Sequence, residues 1–108
     1  MLYAVINAQG EPIAQGLTLA EAGHAILTYD GAQYELRPDA DGGGWVLYAK
    51  PLNGLWTAYV FGSWQPDRDA AEAEILADVV RSADTANRWT AEAIPQADLD
   101  ATQEGGEG

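Results

Sequence analysis

The chain has 108 residues, with 17 acids against 5 bases, one histidine and no cysteine, for a net charge of −12. That length suits one domain with one core, and the absence of cysteine excludes disulfides and thiolate sites. No basic N-terminal segment leads into an apolar run, and the apolar stretches are too short to cross a bilayer, so a cytoplasmic protein with no membrane partner is expected.

Leu2–Ala8 is short, apolar and β-prone, and reads as a strand. Gln9-Gly10-Glu11-Pro12 is turn chemistry, and Pro12–Gly16 reads as a short returning strand. Thr18-Leu19-Ala20-Glu21 fits a capping box, in which the Thr18 hydroxyl accepts from the Glu21 amide and the Glu21 carboxylate reaches back to the Thr18 amide. The helix that follows carries Leu19, Ala22, Ile26 and Leu27 at helical spacing. Gly23 either weakens its middle or lets it approach the sheet closely. Asp30-Gly31 ends it.

Ala32–Arg37 alternates, with Ala32, Tyr34 and Leu36 on one face and Gln33, Glu35 and Arg37 on the other, which is the pattern of a half-buried strand stopped by Pro38. Asp39-Ala40-Asp41-Gly42-Gly43-Gly44 reads as a flexible acidic loop. Trp45–Lys50 is the next strand, and Asn53-Gly54 signals a hairpin through two residues that tolerate positive φ. Leu55–Phe61 follows with both faces apolar, so it is central or it faces a partner. After the connector Gly62–Pro66, a second helix starts at Asp67 or Asp69, either of which can cap it. Ile75, Leu76, Val79 and Val80 share its apolar face, while Glu74, Asp78 and Arg81 share the other. This helix frays near Ala83, Ala86–Ala93 forms a further short turn around Trp89, and Glu104–Gly108 is disordered.

The expected order is β-β-α-β-β-β-α. Short hairpin links make this an α+β fold, an antiparallel sheet of four to five strands packed with two main helices. Residues 1–95 form the domain and 96–108 a flexible acidic tail.

The charge is uneven. Residues 1–66 carry six acids and two bases, and residues 67–108 carry eleven acids and three bases. Within the second part, Asp67–Val80 holds five carboxylates against one arginine. Such a field repels nucleic acid and anionic lipid and attracts basic protein surfaces, although solubility alone also accounts for it.

Catalytic patterns are missing. His24 stands alone inside the first helix, and Ser63 and Ser82 lie in no nucleophile-elbow context, so no base sits beside a nucleophile and no enzyme is expected. A calcium loop starting at Asp39 would need oxygen ligands at its fifth and twelfth positions, where Gly43 and Lys50 stand, so no metal is expected. The three glycines lead into a strand, without a helix start or a lysine to hold phosphate, so no cofactor is expected. The five scattered bases form no basic patch, so no direct nucleic-acid binding is expected. What remains is a binding protein. Its candidate contacts are Asp67, Asp69, Glu74 and Asp78 on the second helix, Asp39 and Asp41 in the loop, and Trp64 as an exposed anchor.

The stretch Gly16–Trp64 contains GLTLAEAGHAILTYDGAQYELRPDADGGGWVLY followed by NGLWTAYVFGSW. It resembles small anti-CRISPR proteins of phage and mobile elements. One inhibitor of type I systems is similar in having a strand, a helix opened by a polar cap, and strands that include an NGLW-x-AY segment and a later tryptophan. The matching positions are Asn53, Gly54, Leu55, Trp56, Ala58 and Tyr59, and the resemblance covers under half of the chain. It implies stoichiometric inhibition, with the protein occupying a basic DNA-binding or partner-binding surface of a type I Cascade complex in the host cytoplasm, often by mimicking the charge of DNA. That inhibitor's contact residues do not transfer, because its charge pattern differs. The alternative is an immunity- or antitoxin-like protein-binding module, or a small homo-oligomer, unrelated to CRISPR. A monomer or small homo-oligomer is expected in either case.

Overall fold

The computed structural model describes residues 1–29, 31–40, 42–86 and 91–105. The fold is α+β with antiparallel sheets, in the order β1 (Tyr3–Ile6), β2 (Pro12–Leu17), α1 (Leu19–Thr28), β3 (Gln33–Pro38), β4 (Trp45–Lys50), β5 (Thr57–Ser63), α2 (Arg68–Ala86), β6 (Glu92–Pro95) and α3 (Gln96–Gly105). The strands divide into two three-stranded sheets rather than forming one, with orders β2-β1-β6 and β3-β4-β5. The division follows from connectivity. The first hairpin takes its third strand from the far end of the chain, while β3, β4 and β5 form a meander of their own.

One core joins the layers. Val5 of β1, Ile26 and Leu27 of α1, Leu36, Leu47 and Phe61 of the meander, and Ala71, Ile75, Leu76 and Val79 of α2 form a single buried cluster. The alternation of Tyr34 and Leu36 and the Ile75/Leu76/Val79 stripe are thus the faces that point inward. Helices α1 and α2 pack directly on each other. Gly23 is a point of closest approach, and its neighbour is the Leu76 backbone of α2 rather than a sheet.

The capping box at Thr18 forms with both of its bonds. The Glu21 amide donates to Thr18 Oγ1 at 3.2 Å, and the Thr18 amide donates to Glu21 Oε1 at 2.9 Å. The Thr18 backbone amide, and after it the Thr18 hydroxyl, hold the Glu21 carboxyl below the usual carboxylate range, because donation from each stabilises the ionised form. At α2 the cap is Asp67, whose Oδ2 accepts from the Ala70 amide at 2.9 Å, and Asp69 lies inside the first turn.

The hairpin between β4 and β5 turns at Pro51–Gly54, where the Gly54 amide donates to the Pro51 carbonyl at 3.1 Å. Gly54 closes this turn as its last residue and does not take positive φ. Strand pairing resumes only at Thr57, which leaves Leu55 and Trp56 outside the strand and exposed. β5 is a sheet edge, so the two-sided apolar pattern does not mark a central strand.

The tail expected over residues 96–108 is a helix as far as Gly105. Leu99 is buried, the Gln96 amide donates to the Leu2 carbonyl at 2.9 Å, and Gln96 Oε1 accepts from the Gly16 amide at 2.8 Å. Residues 106–108 lie outside the described residues, as do Asp41 and the stretch 87–90 with Trp89. Just after that stretch, Glu92–Pro95 pairs with β1, in part of the segment expected to form a turn.

Candidate functional site

The corner where β5 hands over to α2 gathers several of the predicted contact residues. The cross-strand register pairs Trp45 with Ser63 and Val46 with Gly62. It therefore brings the start of β4, with the glycine loop ahead of it, beside Trp64. The loop is not loose: the Asp39 amide donates to the Gly44 carbonyl at 3.0 Å, and the Gly43 amide donates to the Asp39 carbonyl at 3.3 Å. Gly43 and Gly44 take φ of 76° and 77°, the left-handed region that glycine enters at little cost. Gly44 also lies so close to the Ser63 carbonyl that no side chain fits there. Gly42 lies under the Trp64 ring, where a Cβ would come 2.7 Å from Cη2 and 3.8 Å from Asp39 Oδ2. The ring and the carboxylate are thus neighbours.

Trp64 is nevertheless 74% exposed. Beside it runs a groove of about 240 Å³ lined by Asp39, Gly43, Trp45, Val46 and residues 62–64. The connector is tied down on both sides. Trp45 Nε1 reaches the Pro66 carbonyl at 3.5 Å, the Gln65 amide donates to Ser63 Oγ at 3.2 Å, and Gln65 Nε2 donates to Glu74 Oε2 at 3.2 Å.

The helix carboxylates separate into two groups. Asp78 accepts from Arg81 at 3.0 Å, and Arg68 stands 4.0 Å from Asp69 and 3.8 Å from Glu72. These are surface pairs of small energetic weight, but each places a positive charge beside its carboxylate. Asp67 and Glu74 have no arginine or lysine within ion-pair distance among the described residues. Of the residues predicted from sequence, Asp39 and Trp64 meet at Gly42, Asp67 caps α2 three residues after Trp64 and Glu74 is bonded to Gln65, while Asp69 and Asp78 lie beside arginines. Asp41 lies outside the described residues. Sequence reasoning did not name the start of β4 as part of this corner or the glycine loop as the seat of Trp64.

The chain matches no protein-family model, no curated protein and no solved structure.

His24 lies away from this corner. Its Nδ1 is 2.8 Å from the Tyr34 hydroxyl, and the two rings meet edge to face. Burial raises the Tyr34 hydroxyl above its usual range, the Glu72 carboxylate adds to this and Arg68 opposes it. On the outer face of the meander, Arg37 stacks 4.2 Å over Tyr48 and 5.5 Å from Trp56, and it also bonds Glu35 at 3.2 Å. Among the described residues no group of three His, Asp or Glu side chains could hold a metal ion. No helix among them is long and apolar enough to cross a membrane.

Proposed function

We propose that this protein is a non-enzymatic, stoichiometric inhibitor that docks its Trp64 corner on a basic protein surface. We propose further that the surface belongs to a type I Cascade complex, which would make the chain an anti-CRISPR protein that blocks target DNA binding. The observation that carries the reading is the conjunction at that corner: an exposed tryptophan next to Asp39, with Asp67 and Glu74 free of basic partners close by. Tryptophan anchors commonly dominate interface energy, and unbalanced charge around one steers encounter with a cationic partner. The choice of Cascade comes from the resemblance of Gly16–Trp64 to small anti-CRISPR proteins. Charge mimicry of DNA fits the acidity, since channels that hold a nucleic-acid backbone are lined with lysine and arginine.

The test is co-elution with a purified type I Cascade complex at low and moderate salt, scored together with target DNA binding. Salt-sensitive co-elution with loss of DNA binding is expected. Glu74→Lys with Asp78→Lys should weaken it, and a folded double variant that inhibits as well as the parent would remove the α2 face as the contact. Co-elution with DNA still bound would shift the mechanism to blocked nuclease recruitment.

A second reading draws on the opposite end of the meander, at the β4–β5 turn. Leu55 is 83% exposed beside Trp56 and the exposed Leu52, which suits self-association or an immunity-like interface. Light scattering separates the two readings: a stable dimer that Leu55→Ser dissolves would favour this one.

A further inference from the structure

We infer that β6 and α3 form a strap over β1, which opens as one unit while the rest of the fold stays closed. The strap involves none of the residues of the Trp64 corner.

Its helix lies on the far side of the sheet from the core. Val5 of β1 belongs to the core cluster and pairs with Ala93, which packs at the edge of that cluster. Ala4 pairs with Ile94, and both face the other way. Helix α1 packs on β1, β2 and β6 and supplies Ile26 and Leu27 to the Val5 side. Helix α3 packs on β1 and β6 and covers the Ala4 side. Ala4 and Leu99 of α3 are both buried, yet neither belongs to the core cluster.

Two properties make the strap separable. Its apolar burial is small: within residues 92–102 Leu99 is the one buried side chain, Ile94 is half-buried and Ala93 is short. The core closes instead on Leu36, Leu47, Phe61, Ile75, Leu76 and Val79. Stabilisation scales with the apolar area removed from water, so the strap lifts more readily than the core unfolds. In addition, neither part of the strap stands without the other. Strand β6 has four residues and one partner, β1. Helix α3 has ten residues of polar, acidic sequence, too few to hold as an isolated helix once β6 has left.

Gln96 is the clasp. Its amide donates to the Leu2 carbonyl at 2.9 Å, its Oε1 accepts from the Gly16 amide at 2.8 Å, and its Nε2 donates to Gln15 Oε1 at 3.0 Å. The first bond continues the β1–β6 ladder, and the other two tie the strap to β2. A bulge offers the Gly16 amide: between Tyr3 and Val5 β1 advances two residues while β2 advances three, and Gly16 takes φ of 68°.

Opening changes what β1 presents. Amides alternate in direction along an antiparallel strand, and the bond from Gln96 to Leu2 sets the phase, so Ala4 and Ile6 turn their amides to β6. An open strap leaves those amides and the Leu2 carbonyl unpaired, beside the exposed Met1 and Leu2 side chains. Such an edge can take up a strand from outside, and the closed strap keeps it covered.

The experiment is amide hydrogen exchange of the full chain, read residue by residue by NMR under conditions where the rate reports the opening equilibrium. The amides of Ile94, Gln96, Asp100 and Ala101, with those of Ala4 and Ile6, should exchange as one set, about 30-fold or more faster than residues 75–79 of α2. Urea should speed this set with a shallower slope than the α2 amides, because lifting the strap exposes less surface. Ile75→Val weakens the core equally in the closed and the strap-open state. It should therefore speed the α2 amides about fivefold and leave the strap set unchanged. Gln96→Ala should speed the strap set about fivefold. The amide spectrum of each variant verifies the fold, and the urea series needs no variant.

One rate and one urea slope shared by the strap set and α2 would overturn the strap, as would Ile75→Val speeding both sets alike. If Ile94 and Gln96 exchange fast while Asp100 and Ala101 keep the rate of α2, β6 and α3 do not open as one unit and the inference falls.

Discussion

Replacing Gly23 by alanine probes the contact that unites the fold. Gly23 lies in the middle of α1 with ordinary helical backbone, so alanine there should gain about 1 kcal/mol of helix propensity. The surroundings reverse the sign. The new Cβ would run into the Leu76 carbonyl oxygen and come 2.8 Å from the carbonyl carbon and 2.9 Å from Leu76 Cβ. Carbon atoms pack at about 3.5–4.0 Å, so α1 and α2 must part by about 1 Å. The obstructing atoms are backbone and Cβ, so no side-chain rotation relieves the overlap. Overpacking of this kind costs about 1–3 kcal/mol, and a rigid obstacle places it at the upper end. Set against the propensity gain, a net loss of about 2 kcal/mol is expected, or about 8 °C in Tm for a domain of this size. Thermal and urea melts followed by circular dichroism measure it, with an unchanged m-value showing that the same state unfolds. Gly10→Ala is the control. Gly10 has φ of 79° and open space around it, so only the left-handed conformation is charged against it, at about 1 kcal/mol. A Gly23→Ala variant as stable as the parent would refute direct contact between the helices at this point. So would recovery of stability in Gly23→Ala with Leu76→Ala, since that change leaves the obstructing atoms in place.

Thr18→Ala removes one arm of the capping box and should cost about 1 kcal/mol in a urea melt at neutral pH. Glu21→Gln tests the other arm through pH. The folded state lowers the Glu21 pKa, so the parent's advantage over Glu21→Gln should be present above about pH 4.5 and vanish as pH falls through that lowered pKa. Leu99→Ala should destabilise the protein by about 2–3 kcal/mol and reduce amide-exchange protection over residues 96–102, whereas an unpacked tail would show no change. Arg81→Ala breaks an exposed pair with Asp78 worth about 0.3 kcal/mol and leaves that carboxylate without its cation, so association with a basic partner should quicken by about twofold at low salt. Slower association would argue against docking through this face. His24→Gln should leave partner binding unchanged in the same assay, because His24 contacts Tyr34 and lies outside the Trp64 corner.

Much of the fold was legible because its signals were local. The Thr18-x-x-Glu21 spacing announced a capping box, and the Ile75-Leu76-Val79 spacing announced the buried side of α2. β4 runs over Trp45–Lys50, as its apolar run and the flanking glycine and proline suggest. β6 and α3 were missed because neither announces itself. Four residues with one bulky apolar side chain, Ile94, make a strand only because β1 offers them an edge. A helix with an acidic, polar sequence holds through Leu99 and through the bonds Gln96 makes to residues 80 or more positions away. Propensity cannot register such partners, since tertiary pairing stabilises these segments.

The site was harder to read for a more specific reason. Between Tyr48↔Ala58 and Val46↔Gly62 the register shifts, with β4 advancing two residues while β5 advances four. Two extra residues leave the alternation of inward and outward side chains intact, because a strand repeats its facing every two residues. The apolar pattern of Thr57–Ser63 is therefore the same with or without the irregularity. Its position is not neutral. Continued regular pairing would set Trp45 opposite Phe61 and bring Trp64 level with Gly42, beyond the end of β4. The shifted register sets Trp45 opposite Ser63 and lays Gly42 and Gly44 against Trp64. Sequence named Asp39, Trp64, Asp67 and Glu74 one by one, as acids and an aromatic in connectors and on a helix. An irregularity to which the pattern is blind decides which loop glycine Trp64 is level with, and bulges of this kind commonly re-aim side chains next to functional sites.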